Sequence, residues 1–190
     1  MLPVAEIERA LDALGRVLEA RGRTHELVVI GGSALLLLGL IRRPTRDGDV
    51  LALIEHGELV SALPIPEDLA IAAADVAAFL RLDGTWLNGG PSAQIQSGLP
   101  AGFQGRREER VFHSLVVQVA SRLDHIHLKL FAAVDHWPHQ GKHMDDLRRL
   151  VPSPAELAEA ARWVRTQDIG PDFSVFVSGV LGVFGVDDEP

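Results

Sequence analysis

Hydrophobic and polar positions alternate along this chain with two different periods. Ile7, Leu11, Leu14 and Leu18 fall three and four residues apart, which predicts an amphipathic helix over residues 3–22 with Gly22 as its stop. Leu27-Val28-Val29-Ile30 is an unbroken apolar run and predicts a buried strand. It halts at Gly31-Gly32, after which Ser33 opens a short apolar helix from Ala34 to Leu40. A basic turn, Arg42-Arg43-Pro44-Thr45-Arg46, leads into a second strand that carries Asp47 and Asp49 and runs to about Ile54. Pro66 and the acids after it start a helix over 67–82.

The second half of the chain reads differently. Residues 83–91 form a turn-rich link around Trp86, and residues 92–108, interrupted by Gly98, Pro100, Gly102 and Gly105, predict a mobile loop. Val111–Ala120 reads as a strand or a short hairpin. Helical spacing returns from Asp124 to Asp135, then from Lys142 to Leu150, and again from Pro152-Ser153-Pro154 to about Arg165. The apolar, glycine-interrupted tail over 173–186 is a last helix packed on the core or against a second copy; its periodicity does not decide. The expected fold class is α+β (α/β): a small mixed sheet flanked by helices in residues 1–120, followed by a helical part in residues 121–190, together one domain.

Composition narrows the function classes. With 47% hydrophobic and 23% charged residues, the chain has the balance of a globular rather than a disordered protein. It contains no cysteine, which excludes disulfides, thiolate nucleophiles and cysteine-ligated zinc. The N-terminus mixes acids among its apolar residues and predicts no secretory leader, and no apolar run reaches the roughly 20 residues of a membrane span. The expected location is the cytoplasm. A net charge of −8 argues against a duplex DNA footprint, while the local clusters Arg42-Arg43-Arg46 and Arg106-Arg107-Arg110 favour a small phosphate-bearing ligand or an RNA end.

The central stretch carries the chemistry. Residues two apart on a strand point to one face, so Asp47 and Asp49 are expected to aim their carboxylates into one space near the Gly-Gly turn. Such a pair suits a hard divalent cation that keeps phosphates in its shell. Backbone N–H groups at a glycine turn also bind anions. His136, His139 and His143 recur at helical intervals, but Pro138 breaks that spacing and no HExxH motif accompanies them, so zinc is not expected.

Gly31-Gly32-Ser33, a short helix, and then Asp47 and Asp49 one residue apart resemble the nucleotidyltransferase superfamily. Trp86-Leu87-Asn88, the Leu128-Lys129-Leu130 helix and Lys142-x-x-Asp145-Asp146-Leu147 extend the likeness over roughly residues 25–150. They resemble a bacterial branch akin to the toxin component of abortive-infection toxin–antitoxin systems. The resemblance implies magnesium-dependent transfer of a nucleotidyl group from a nucleoside triphosphate to a hydroxyl of RNA or protein. Gly31, Gly32 and Ser33 would hold the triphosphate, Asp47 and Asp49 the magnesium, and Arg43 or Arg46 a phosphate oxygen. Lys129 is implied as a further catalytic residue, and Asp145 and Asp146 as nucleotide contacts or their support. An antitoxin or a second copy of the chain is the implied partner.

Two positions depart from that pattern. Active members carry a third carboxylate on a later core strand, whereas Leu115–Ala120 offers only Gln118, which cannot act as a base. Asp124 and Asp83 stand nearby as substitutes. Gly48 lies between the two aspartates, where an apolar residue is usual. These departures keep two other expectations open: a non-catalytic nucleotide-binding or regulatory domain, and an interaction module built on the apolar tail.

Overall fold

The apolar run at residues 27–30 forms the middle of a mixed sheet. In the computed structural model, which describes residues 1–187, β1 (His25–Ile30) pairs antiparallel with β2 (Gly48–Glu55) and parallel with β6 (Leu115–Val119). β3 (Glu58–Ser61) lies on the outer side of β2 and β5 (Glu108–Phe112) on the outer side of β6, giving the order β3-β2-β1-β6-β5. A two-residue strand, β4 (Leu87–Asn88), pairs parallel with the start of β2. The fold is α+β, with eight α-helices among the described residues and a sheet that does not close into a barrel.

The chain divides into two compact units, Met1–Leu99 with Gln104–Ala120, and Pro100–Phe103 with Ser121–Pro190. The first holds the sheet, α1 (Val4–Ala20), α2 (Gly31–Leu37), α3 (Glu67–Leu80) and α4 (Gln94–Ser97). Ile7, Leu11, Leu14 and Leu18, the predicted apolar stripe of α1, are all buried, and the helix packs on α2, α3 and strands β5 and β6. The second unit holds α5 (Arg122–Asp135), α6 (Lys142–Arg149), α7 (Pro154–Val164) and α8 (Pro171–Val183), with α5 contacting each of the other three. The apolar tail is thus a helix. No helix among the described residues is long and apolar enough to cross a membrane.

Several boundaries differ from expectation for identifiable reasons. The helix expected over Ala34–Leu40 starts at Gly31 and stops at Leu37, because Gly39 takes a left-handed φ of +70° and the Leu40 N–H folds back to Leu35 O. Asp47 does not lie on the strand: it sits in a bend, and β2 begins at Gly48. Thr45 pins that bend by exchanging two backbone hydrogen bonds with Leu2. The link around Trp86 contains β4, and the stretch expected to be a mobile loop contains α4 and two 3-10 turns. Residues 108–119 form a hairpin, its two-residue turn opened by His113 at φ +54°.

Candidate functional site

The glycine turn and the first carboxylate meet at the end of β1. Gly31 adopts φ +73°, and a Cβ built on it would stand 2.2 Å from Asp49 Oδ2. Only glycine tolerates both the dihedral and the approach, so the carboxylate fills the space a side chain would have taken. At Gly32 a Cβ would stand 2.7 Å from Thr45 Oγ1 and 3.9 Å from Arg43 Nη1. Asp49 thus stands against Gly31, and Thr45 and Arg43 against the next residue, Gly32. Ser33 is buried, and its hydroxyl donates to Ile30 O at 3.2 Å, so it secures the turn.

Asp49 reaches this position through an irregularity in the sheet. Leu27 and Val28 pair with Leu53 and Ala52, a register that would set Ile30 opposite Val50. A shift between Val28 and Val29 moves β2 along by one residue and brings Asp49 opposite Ile30 instead. Because successive strand residues point to opposite faces, that single-residue shift turns Asp49 from one face of the sheet to the other.

Asp49 also has a neighbour that sequence reasoning did not assign. Asn88 lies beside it in the β2–β4 pairing, and its amide Nδ2 donates to Asp49 Oδ1 at 3.3 Å. Two signals touch Asn88 in the sequence, the Trp86-Leu87-Asn88 motif of the resemblance and the Asn88-Gly89-Gly90 run that reads as a turn, and neither gives it a partner. Thr45 was likewise read as a turn residue, yet it is buried against Gly32. Asp47 is half-buried just ahead of β2, whereas Arg42 and Arg46 are exposed.

Asp47 and Asp49 offer hard oxygen donors of the kind magnesium takes when it shares its shell with phosphates. Among the described residues, no three His, Asp or Glu side chains are grouped to hold a metal ion by themselves. A cage made of protein ligands alone is therefore not present among the described residues.

The second unit gathers the later motif residues. Lys129 Nζ and Asp146 Oδ2 stand 2.9 Å apart with Asp146 fully buried, so two residues singled out separately form one ion pair. Asp145, one position earlier, is exposed and faces Arg148 at 3.4 Å. His125 is buried, donates through Nδ1 to Ser121 O at 2.9 Å, and has no partner at Nε2 among the described residues. Burial drives its pKa down to about 4, and the nearby Lys129 ammonium adds to the effect. His143 is held at about 4 by the same two causes.

Gln118, the polar residue of β6, is engaged by its neighbours. Gln118 Nε2 donates to Glu26 Oε1 at 2.9 Å and to Glu109 Oε2 at 3.0 Å, tying together three neighbouring strands. The two substitutes have local tasks. Asp124 closes the capping box of α5 with Ser121. Asp83 accepts from the Thr85 hydroxyl and N–H, which hold its carboxyl below the usual range. Gly48 is not sterically required, since a Cβ there would make ordinary contacts with Leu87 and Trp86 O at 3.4 and 3.5 Å. No protein-family model, curated protein or solved structure matches this chain.

Proposed function

We propose that the chain is a nucleotidyltransferase-like protein that binds a nucleoside triphosphate with magnesium at the Gly31–Gly32 turn and transfers its nucleotidyl group to a hydroxyl of RNA or protein. The observation that carries this reading is the seating of the Asp49 carboxylate in the space of the missing Gly31 side chain, with Arg43 beside Gly32. Glycine backbone and a guanidinium suit phosphate oxygens, and the carboxylates suit the cation that accompanies them. Asp47 and Asp49 would hold magnesium, which orients the phosphates and neutralises charge that develops during displacement. Lys129 and Asp146 support the fold of the second unit through their buried pair. A cytoplasmic location and an antitoxin or a second copy as partner belong to the same proposal.

Gln118 favours a second reading, a nucleotide-binding domain without transfer activity, because the strand expected to carry the third carboxylate offers only this amide, which cannot act as a base and is engaged by Glu26 and Glu109. One experiment separates the two: incubation with α-labelled nucleotides, magnesium and a cell extract, followed by recovery of labelled RNA and protein. Transferred label that disappears in Asp49→Ala supports the enzyme. Nucleotide binding with no transferred label supports the second reading, and neither binding nor transfer overturns both.

A further inference from the structure

We infer that Asn88 is a positioning residue that fixes the rotation of the Asp49 carboxylate, an inference that rests on the nucleotide reading above. Its support begins at Trp86, which is 2% exposed and whose indole N–H donates to Ala73 O on α3 at 2.9 Å. That anchor sets the start of β4, and the parallel pairing then stands Asn88 opposite Asp49. The orientation of the amide is dictated from its other side. Asn88 Oδ1 accepts the Gly90 N–H at 3.1 Å, which leaves Nδ2 to face Asp49 Oδ1 at 3.3 Å.

A carboxylate on its short arm can turn about its last bond. Here Oδ1 is tethered to the amide while Oδ2 lies over Gly31. The group is thereby set before any ligand arrives, which lowers the ordering that binding must impose. Asparagine suits this place because it carries a donor on one arm and an acceptor on the other. Aspartate at the same position keeps the acceptor for Gly90 but sets a second carboxylate against Asp49.

The test uses the full chain, calorimetry with magnesium and ATP, GTP, CTP or UTP, and electron paramagnetic resonance of Mn²⁺ without nucleotide. Asn88→Ala should weaken magnesium-dependent nucleotide binding about tenfold or more, the range expected when a hydrogen bond to a charged group is lost. Asn88→Asp, nearly isosteric and still able to accept from Gly90, should bind Mn²⁺ more tightly than wild type, because two facing carboxylates demand a cation. A merely structural asparagine predicts no change in Mn²⁺ affinity. If wild type binds nucleotide and Asn88→Ala matches it, the positioning role is overturned and the nucleotide reading stands. If wild type binds no nucleotide with magnesium, both fall.

Discussion

Replacing Gly31 by alanine tests the close approach on which the site is built. Two costs are expected. The first is conformational: an L-residue at φ +73° gives up about 1–2 kcal/mol relative to its relaxed backbone. The second is steric, since the new Cβ would lie 2.2 Å from Asp49 Oδ2 and the carboxylate must swing away. That motion breaks its bond with Asn88, a loss of about 1.5–3 kcal/mol for a hydrogen bond to a charged group. Gly31→Ala should therefore destabilise the protein by about 2.5–5 kcal/mol.

Gly39 supplies the control. Its φ of +70° is nearly the same, but a Cβ there meets nothing within 4 Å. Gly39→Ala should cost only the conformational part, about 1–2 kcal/mol. Removing the carboxylate should then relieve the steric part. Asp49 Cβ lies 3.4 Å from the built Cβ of Gly31, an ordinary contact, so in an Asp49→Ala background Gly31→Ala should cost no more than Gly39→Ala. Urea denaturation followed by far-ultraviolet circular dichroism reads these differences. With a slope of about 2 kcal/mol per molar, a coupling of about 2 kcal/mol shifts the midpoint by about 1 M. Equal costs for Gly31→Ala and Gly39→Ala in the parent chain, or an unchanged Gly31→Ala cost without Asp49, would refute the reasoning.

Three further outcomes follow from the second unit. His125 has a folded pKa lowered to about 4 from 6.5, so the unfolded chain takes up its proton first; the stability is complete above about pH 6.5 and is lost as pH falls toward 4. The loss should reach about 3 kcal/mol, and His125→Gln should flatten the fall of melting temperature across that window. Lys129→Met removes the nearer cation of the fully buried Asp146 carboxylate, which keeps Arg149 Nη1 at 3.9 Å, and should cost about 3 kcal/mol, whereas Lys129→Met with Asp146→Leu should recover most of it; equal melting temperatures for the single and double variants contradict a buried pair. Val151 is 77% exposed at φ +47°, a strained conformation for a β-branched residue, while Arg122 holds Leu150 O and Val151 O at 2.9 Å. Val151→Gly should raise the melting temperature by about 2–4 °C, and a lower one refutes the strain.

Local pattern carried much of the fold. The stripe on α1, the apolar run of β1 and the Pro152-Ser153-Pro154 start of α7 each act within a few residues, and each element forms where its pattern lies. Contacts between distant segments were not legible. The register shift opposite Val28–Val29 has no mark in the sequence, yet it decides which face Asp49 occupies. Alternation alone placed Asp47 and Asp49 on one strand, but the Leu2–Thr45 bridge holds the chain in a bend until Gly48. Asn88 read as part of a turn and of the Trp86-Leu87-Asn88 motif, but its bond to Asp49 was not legible because that partner lies 39 residues away. Lys129 and Asp146 were each singled out, but their pairing depends on how α5 and α6 pack.

The most direct measurement is calorimetric titration of each nucleoside triphosphate with magnesium into wild type and Asp47→Ala/Asp49→Ala in parallel. Binding by wild type that requires magnesium and vanishes in the double variant is the predicted result. Heat that is the same with and without the two carboxylates, or no heat with any nucleotide, contradicts a nucleotide site at the Gly31–Gly32 turn.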